Sequence, residues 1–282
     1  MTRTAILTIA ALIAFAANSI LCRMALSAGD IDAFSFSLIR LSSGAAMLAI
    51  LVFVGGSGRG RIKTSGDWPS AAALLVYVLA FSIAYLSLSA ASGALILFAA
   101  VQATMLIGAI RAGSMPGMRQ WSGIALAMAG LVYLLLPGLD APSPPGALLM
   151  GLSGMAWGVY SLRGIGRENA LLTTSGNFLR ASLLVLPLSL IALPLLHWNT
   201  SGILLAASSG ALASGLGYAI WYAALRKLNP VHASAAQLSV PILTAIAGLA
   251  LLAEPLTLRL IAASALILGG IFLTLRSSAK KT

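Results

Sequence analysis

The chain has 282 residues, of which 60% are hydrophobic and 8% are charged, and its mean hydropathy is +1.00. A soluble domain of this length cannot bury so much apolar surface, so the composition excludes a water-soluble globular protein and indicates a membrane protein. The net charge of +11 does not indicate nucleic-acid binding here, because the basic residues lie singly or in small groups between apolar runs. The single cysteine, Cys22, excludes an internal disulfide.

Apolar runs follow one another along the whole chain, each close to the roughly 20 residues that cross a bilayer as a helix. Glycine, proline and charged residues separate them. The third and fourth runs are separated only by Ala90–Ser92, which leaves nine helices as an alternative to ten. The ten predicted spans are Thr4–Leu26, Ala33–Val54, Trp68–Ser89, Gly93–Ile110, Trp121–Leu136, Gly146–Leu162, Thr173–Leu196, Gly202–Leu225, Val231–Leu252 and Leu258–Leu275.

The distribution of basic residues favours ten helices with both termini in the cytoplasm. With the amino terminus inside, only Arg259 among the basic loop residues falls outside, as the positive-inside rule requires. Nine helices would remove this bias. The first run is too long for a signal-peptide core and predicts a retained helix. The residues placed inside are Arg3, Arg59, Arg61, Lys63, Arg111, Arg119, Arg163, Arg167, Arg226, Lys227, Arg276, Lys280 and Lys281.

The two halves of the chain resemble each other at an offset of 140 positions. Examples of the matched pairs are Arg23 with Arg163, Arg40 with Arg180, and Gly130 with Gly270. Because five helices per half is an odd number, the second half would enter the membrane from the opposite side, which is an architecture typical of transporters. The sequence therefore predicts an all-α integral membrane protein whose ten transmembrane helices form two inverted five-helix repeats, 1–138 and 139–282, around a central cavity.

Three segments of the second half carry a family resemblance: Gln237–Thr244 with its proline, the turn Leu252–Thr257 with its Glu-Pro-Leu sequence, and the glycine-rich Ala265–Gly270. They resemble the ten-helix exporter branch of the drug/metabolite transporter superfamily. The first half departs from this pattern, since Ala103 stands where the fourth-helix proline would be. The resemblance implies a basket-shaped bundle in the bacterial inner membrane that exports aromatic and other neutral amino acids.

Aromatic residues recur at helical spacing on the third, sixth and eighth helices and are predicted to line the cavity. Stacking on a flat substrate and packing between helices are equally open interpretations. A side-chain amide deep in a helix is costly in hydrocarbon unless it is paired, so it should face protein or a water-filled cavity. Such amides are therefore predicted to be polar partners for a zwitterionic substrate. The predicted substrate-binding residues are Asn18, Tyr77, Phe81, Tyr85, Phe98, Gln102, Trp157, Tyr160, Tyr218, Trp221 and Gln237.

Pro241 predicts a break in the ninth helix, and Gly154 and Gly158 predict close helix packing with a hinge role. Arg40 and Arg180 lie about two turns inside their helices. Their matched positions favour a structural role, with the guanidinium donating to nearby carbonyls, over carboxylate or phosphate binding.

All six acidic residues fall in loops or at helix ends, so no membrane-embedded carboxylate is available for proton coupling. We therefore expect facilitated uniport by a monomer, with no metal and no cofactor. The alternative transporter function is broad export of hydrophobic drugs or metabolites. A lipid-modifying enzyme and a scaffold protein are further alternatives, and a water-filled cavity at mid-membrane distinguishes a transporter from a scaffold.

Overall fold

The computed structural model describes residues 2–56, 62–113, 115–138, 141–228, 233 and 236–278. Within these residues the chain is helical, and its helices agree closely with the predicted spans. The start of the ninth span and the basic residues Arg59, Arg61, Lys280 and Lys281 lie outside the described residues. The helices are α1 (Thr2–Ser27), α2 (Ala33–Val54), α3 (Trp68–Ala84), α4 (Ala90–Arg111), α5 (Met118–Leu135), α6 (Pro144–Gly164), α7 (Ala170–Ile191), α8 (Thr200–Leu225), α9 (Ser239–Leu252) and α10 (Leu258–Ser278).

Length and composition suit these helices to a bilayer. Six are long and apolar enough to span a membrane, namely α1, α2, α4, α7, α8 and α10, and α3 and α9 are shorter apolar helices. Many large apolar side chains on the outside of the bundle are exposed, as lipid-facing residues are.

The boundary between α3 and α4 is a real helix break. The turn ends at Ser89, whose side chain accepts a hydrogen bond from Ser92 N, so that α4 has its own N-cap. Asp32 and Asp67 cap α2 and α3 in the same way. These caps resolve the choice between nine and ten helices in favour of ten within the described chain.

Contacts between loops define two ends of the bundle. At the Glu254 end, Glu254 pairs with Arg23, and Asp32 accepts a hydrogen bond from His197 N. At the Asp67 end, Asp67 pairs with Arg163 and Arg167. The two ion-paired clusters therefore join helix ends and loops at two different ends of the bundle.

A π-helical segment, Ser209–Leu216, interrupts α8. Such segments are rare and often lie at functional sites. Here Gly210 packs directly on the carbonyl oxygen of Arg40, so close that no side chain could occupy this position. The contact brings the backbones of α2 and α8 together and turns Ser209 and Ser214 inward.

Candidate substrate cavity

A cavity of about 1130 Å³ lies between the helices. It extends from the middle of the bundle to the Asp67 end, where Met115, Gln120, Arg163 and Arg167 form part of its wall. None of the described residues that line it is acidic. The cavity therefore presents positive but no negative side-chain charge to a bound molecule.

Nearly all the residues predicted to bind substrate line this one cavity. Tyr85 does not: it is fully buried towards the Glu254 end, and its hydroxyl donates to the carbonyl of Ala90 over 3.2 Å. The predicted residues that do line the cavity are Asn18, Tyr77, Phe81, Phe98, Gln102, Trp157, Tyr160, Tyr218, Trp221 and Gln237.

Trp157 on α6 is the centre of the aromatic wall. Its ring stacks on Tyr218 with a centroid distance of 5.4 Å and an interplanar angle of 17°, and on Tyr160 at 5.3 Å and 26°. Tyr77 lies 4.9 Å away in a tilted arrangement. The rings of α3, α6 and α8 thus form one continuous π surface facing the cavity.

Two aromatic or polar groups that sequence reasoning missed complete this wall. Phe15 on α1 contacts the rings of Tyr218 and Trp221 at 5.6 and 5.7 Å. Thr174 on α7 shares a 2.8 Å hydrogen bond with the hydroxyl of Tyr222. Helices α1 and α7, which carry these two residues, are apolar on most faces. The spacing of their apolar residues therefore does not indicate which face turns inward.

Asn18 is a buried amide in the cavity wall. Its side-chain oxygen accepts hydrogen bonds from Ser209 Oγ at 2.8 Å and from Ser214 Oγ at 3.2 Å. The oxygen is therefore occupied by the π-helical segment, and the NH₂ group is the end that remains for a ligand.

The two matched arginines occupy different environments. Arg180 donates to the backbone carbonyls of Ser65, Gly176 and Lys63, as its interpretation as a structural residue predicts. Arg40 is only 1% exposed and reaches no headgroup.

The predicted packing and break residues have clear positions. Gly154 lies against the backbone of α4 at Leu97, and Gly158 lies against Thr104 of the same helix. Pro241 stands in the first turn of α9, and the helix is interrupted just before it, at Leu238. A proline fits this position because the first turn needs no backbone donor.

Asp67 organises the Asp67 end of the cavity. Its carboxylate accepts from Arg163 at 2.8 Å, from Arg167 at 3.1 Å and from Ser70 N at 2.8 Å. Partial burial raises the pKa of this carboxyl, but the hydrogen bonds from Arg163 and Ser70 outweigh it, so the net pKa lies below its usual range. The ionised form is thus favoured by the folded state.

This arrangement predicts a pH-dependent contribution to stability. Because the pKa of Asp67 is lower in the folded state, its ion pairs stabilise the protein at neutral pH, and this stability is lost as the pH falls through the lowered pKa. Asp67→Asn should keep the helix cap and lose the ion pairs, whereas Asp67→Ala should also lose the cap, at a further cost of about 1 kcal/mol. Thermal unfolding in detergent should rank wild type above Asp67→Asn and that above Asp67→Ala at pH 7. The gap between wild type and Asp67→Asn should shrink at acidic pH, and a gap that grows would contradict the prediction.

Comparison with known proteins identifies the family. The model of the EamA-like transporter family matches residues 144–276. An uncharacterized protein of Pseudomonas aeruginosa is 49% identical over 97% of this chain and 94% of its own length. The chain belongs to the EamA-like transporter family. It is therefore a multi-pass membrane transporter of the drug/metabolite transporter superfamily, which confirms the sequence resemblance at the level of the superfamily.

Two further similarities agree with membership of the EamA-like family. An uncharacterized transporter of Archaeoglobus fulgidus is 31% identical over 55% of this chain and 56% of its own length. A solved structure titled "Crystal structure of protein" matches with a TM-score of 0.66 over 94% of each chain, at 21% identity, and so shows a shared fold.

Proposed function

We propose that this EamA-like transporter exports aromatic and other neutral amino acids across the bacterial inner membrane, as a monomer with both termini in the cytoplasm. The observation that carries the proposal is the aromatic surface centred on Trp157, because a flat substrate side chain can stack on it. The resemblance of the sequence to aromatic amino-acid exporters of the YddG type supports the same substrate class.

The cavity supplies polar groups that suit an amino-acid backbone. Asn18, Gln102 and Gln237 line it together with the tyrosine hydroxyls. Amides both donate and accept hydrogen bonds, so they can pair with a carboxylate and with an ammonium group. This mixture of π surface and amides favours an amphipathic substrate over a purely apolar one.

Contacts between helices support the proposed inverted repeat. Gly130 packs against Ile267, and Gly270 packs against Ala127, so the two contacts exchange when every position is shifted by 140. Such reciprocity is what a two-fold axis between related units produces. The pairings of α3 with α6 and of α1 with α8 exchange in the same way. Two units, 1–138 and 139–282, are thus proposed to rock against each other during alternating access.

The conformation described corresponds to an inward-facing state in this proposal. The cavity reaches the Asp67 end, whereas the loops of the Glu254 end are joined by an ion pair and by the bridge of Ile31 to Trp198. The positive-inside rule assigns the loop of Arg163 and Arg167 to the cytoplasm. The absence of acidic side chains among the described residues that line the cavity supports uniport rather than proton antiport.

Uptake of radiolabelled phenylalanine into liposomes that contain the purified protein tests the proposal. We expect uptake without a pH gradient, with competition by tryptophan and tyrosine. A strict requirement for a pH gradient would contradict uniport. Protein-free liposomes give the background, and uptake no faster than this background would contradict transport of aromatic amino acids.

A broad-specificity exporter of hydrophobic drugs or metabolites is the second candidate. It is favoured by the cavity volume of about 1130 Å³, which lies above the usual range of roughly 300–1,000 Å³ for pockets that bind drug-sized ligands. Under this alternative Asn18→Ala and Gln102→Ala would leave export of hydrophobic drugs unchanged. Under the amino-acid proposal the same variants lose phenylalanine uptake.

A further inference from the structure

Arg40 is the largest of the fully buried side chains among the described residues, and it lies about two turns inside the N-terminal end of α2. Its Nη2 donates to the hydroxyl of Tyr77 at 2.9 Å, and its Nε donates weakly to Ser214 Oγ at 3.4 Å. Its Nη1 has no hydrogen-bond partner among the described residues. No described acidic side chain forms an ion pair with it.

An unpaired guanidinium is expensive inside a membrane protein. Arginine remains protonated in proteins, so it cannot avoid the cost by losing its charge. Aromatic faces offer partial compensation, and the Arg40 Cζ lies 4.9 Å from the ring centroid of Phe81 and 5.3 Å from that of Tyr77. These contacts leave one pair of N–H donors and a full positive charge without an anion. Buried ionisable groups in membrane proteins commonly mark a substrate site.

The side chains that surround Arg40 also form the wall of the cavity. Tyr77, Phe81 and Asn18 line it, and Ser214 links Asn18 to Arg40. The oxygen of Tyr77 accepts the Arg40 N–H, so its own proton is available to another acceptor. The Tyr77 hydroxyl and the Asn18 amide are thus two donors of the cavity wall, and the buried Nη1 of Arg40 lies directly behind them, outside the lining itself. Donors without an acceptor suit the two oxygens of a carboxylate.

We infer that Arg40 is the carboxylate-recognition residue of this transporter. The substrate carboxylate accepts from the Tyr77 hydroxyl and the Asn18 amide, and the charge of Arg40, which lies directly behind these two side chains, attracts it, while its flat apolar body lies on the surface of Trp157. This inference rests on the proposed function for the position of the substrate, and it sharpens the substrate class. The required chemical features are an aromatic body and a carboxylate. The ammonium group is not required, because the described cavity wall offers it only neutral amides and no acidic residue that would form an ion pair with it.

Binding of three related compounds to the purified wild-type protein tests this inference. Isothermal titration should compare phenylalanine, 3-phenylpropionate (which lacks the amine) and phenylalaninamide (which lacks the carboxylate). We expect 3-phenylpropionate to bind at least as tightly as phenylalanine. Phenylalaninamide should bind with an affinity at least roughly tenfold lower than that of phenylalanine. Equal binding of phenylalaninamide and phenylalanine would overturn the inference, and this result depends on no variant.

Arg40→Gln should remove the preference for the acids over the amide. Arg226→Gln is the matched control, since it removes one positive charge from an exposed residue that does not line the cavity. The control should keep the wild-type order of affinities. An Arg40→Gln variant that folds and keeps the preference would also overturn the inference. If Arg40→Gln does not fold, the wild-type series alone decides.

Two further measurements distinguish carboxylate recognition by Arg40 from general anion binding and from the proposed transport function. Chloride and inorganic phosphate are each titrated alone. Binding of either anion at the concentrations at which 3-phenylpropionate binds would overturn the carboxylate assignment. If wild type shows no phenylalanine uptake but binds the acids selectively, the proposed amino-acid function fails and the role of Arg40 stands. If it transports phenylalanine without selectivity for acids, the role of Arg40 fails and the proposed function stands.

Discussion

Replacing Trp157 with alanine is expected to lower phenylalanine uptake at least about tenfold. Trp157 contacts three rings of the cavity wall, those of Tyr77, Tyr160 and Tyr218. Each aromatic pair contributes about 0.5–1.5 kcal/mol beyond the area that it buries. The variant loses these ring pairs and the surface on which the substrate is proposed to stack, and both losses lower uptake.

Two comparisons isolate the role of the Trp157 ring. Trp157→Phe keeps an aromatic surface and should retain more uptake than Trp157→Ala. Trp121→Ala removes a half-exposed tryptophan of α5 that does not line the cavity, and it should transport like wild type. Initial rates over a range of phenylalanine concentrations would separate weaker binding from slower turnover. A Trp157→Ala protein with wild-type rates and affinity would show that the stack serves only helix packing.

Helix count and helix positions could be predicted from sequence because the bilayer imposes a length on each apolar run. The bounds of α2 agree with the predicted span Ala33–Val54, where Asp32 and the glycines after Val54 give clear end signals. The seventh span was predicted to run to Leu196, but α7 ends at Ile191 and a short 3₁₀ turn follows over Leu193–Leu195. In the third span the last residues form the turn before the Ser89 cap. Apolar composition alone does not distinguish a last helical turn from a buried loop.

The aromatic wall was partly predictable because Tyr, Trp and Phe at helical spacing mark one face. Tyr85 keeps the spacing, since its ring contacts that of Phe81 at 4.7 Å, but it lies one turn farther towards the Glu254 end, beyond the lining of the cavity. The role of the π-helical segment could not be predicted, because its sequence of serines, glycines and small residues is equally compatible with an α-helix.

Arg40 shows a second limit of sequence reasoning. The offset of 140 pairs it with Arg180, which favoured one structural role for both residues. In the structure, backbone carbonyls surround the guanidinium of Arg180, whereas aromatic rings and hydroxyls surround that of Arg40. The surroundings of the two matched arginines therefore differ, although their offset in the sequence predicts the same role for both. Only the three-dimensional contacts reveal that the Nη1 of Arg40 lacks a hydrogen-bond partner among the described residues.

Glu254 is expected to hold the Glu254 end closed. Its Oε1 accepts from Arg23 Nε at 3.0 Å and its Oε2 accepts from Ala90 N, the first residue of α4, at 2.7 Å. Arg23 also donates to the carbonyl of Tyr85 at 2.9 Å. A carboxylate at a helix N-terminus is further stabilised by the helix dipole. One side chain thus joins α1, the turn after α3, the start of α4 and the turn before α10.

The backbone near Glu254 supports this closing role. Ala253 has a φ of 52°, in the left-handed region that favours glycine, and among the described residues it alone adopts a positive φ without being glycine. This turn directs the chain so that Glu254 N donates to Gly248 O and the carboxylate points back into the bundle. Both partners of the ion pair are largely shielded, with side-chain exposures of 22% for Arg23 and 14% for Glu254. Shielding makes their charge-assisted bonds stronger than those of an exposed pair, about 1.5–3 kcal/mol.

Glu254→Gln should therefore open this end of the transporter more often. The variant keeps an acceptor for Ala90 N but loses the charge that binds Arg23, so the population open at the Glu254 end should rise about tenfold or more. Cys22 is a natural reporter, since it is the single cysteine of the chain, is fully buried and precedes Arg23 in α1. Its rate of modification by a water-soluble thiol reagent should increase in Glu254→Gln by a similar factor. Asp67→Asn, which breaks the ion pairs at the opposite end, should not raise this rate.

The comparison between the two variants makes the result specific to one end. General loosening of the bundle would expose Cys22 in both variants, whereas opening at the Glu254 end exposes it only in Glu254→Gln. A saturating substrate that favours the state open at the Asp67 end should slow the modification again, because a ligand shifts a conformational equilibrium only through its different affinities for the two states. If Cys22 reacts at the wild-type rate in Glu254→Gln, the ion pair is a surface contact without control over access. The seal would then depend on the apolar residues packed around Cys22 and Tyr85 rather than on charge.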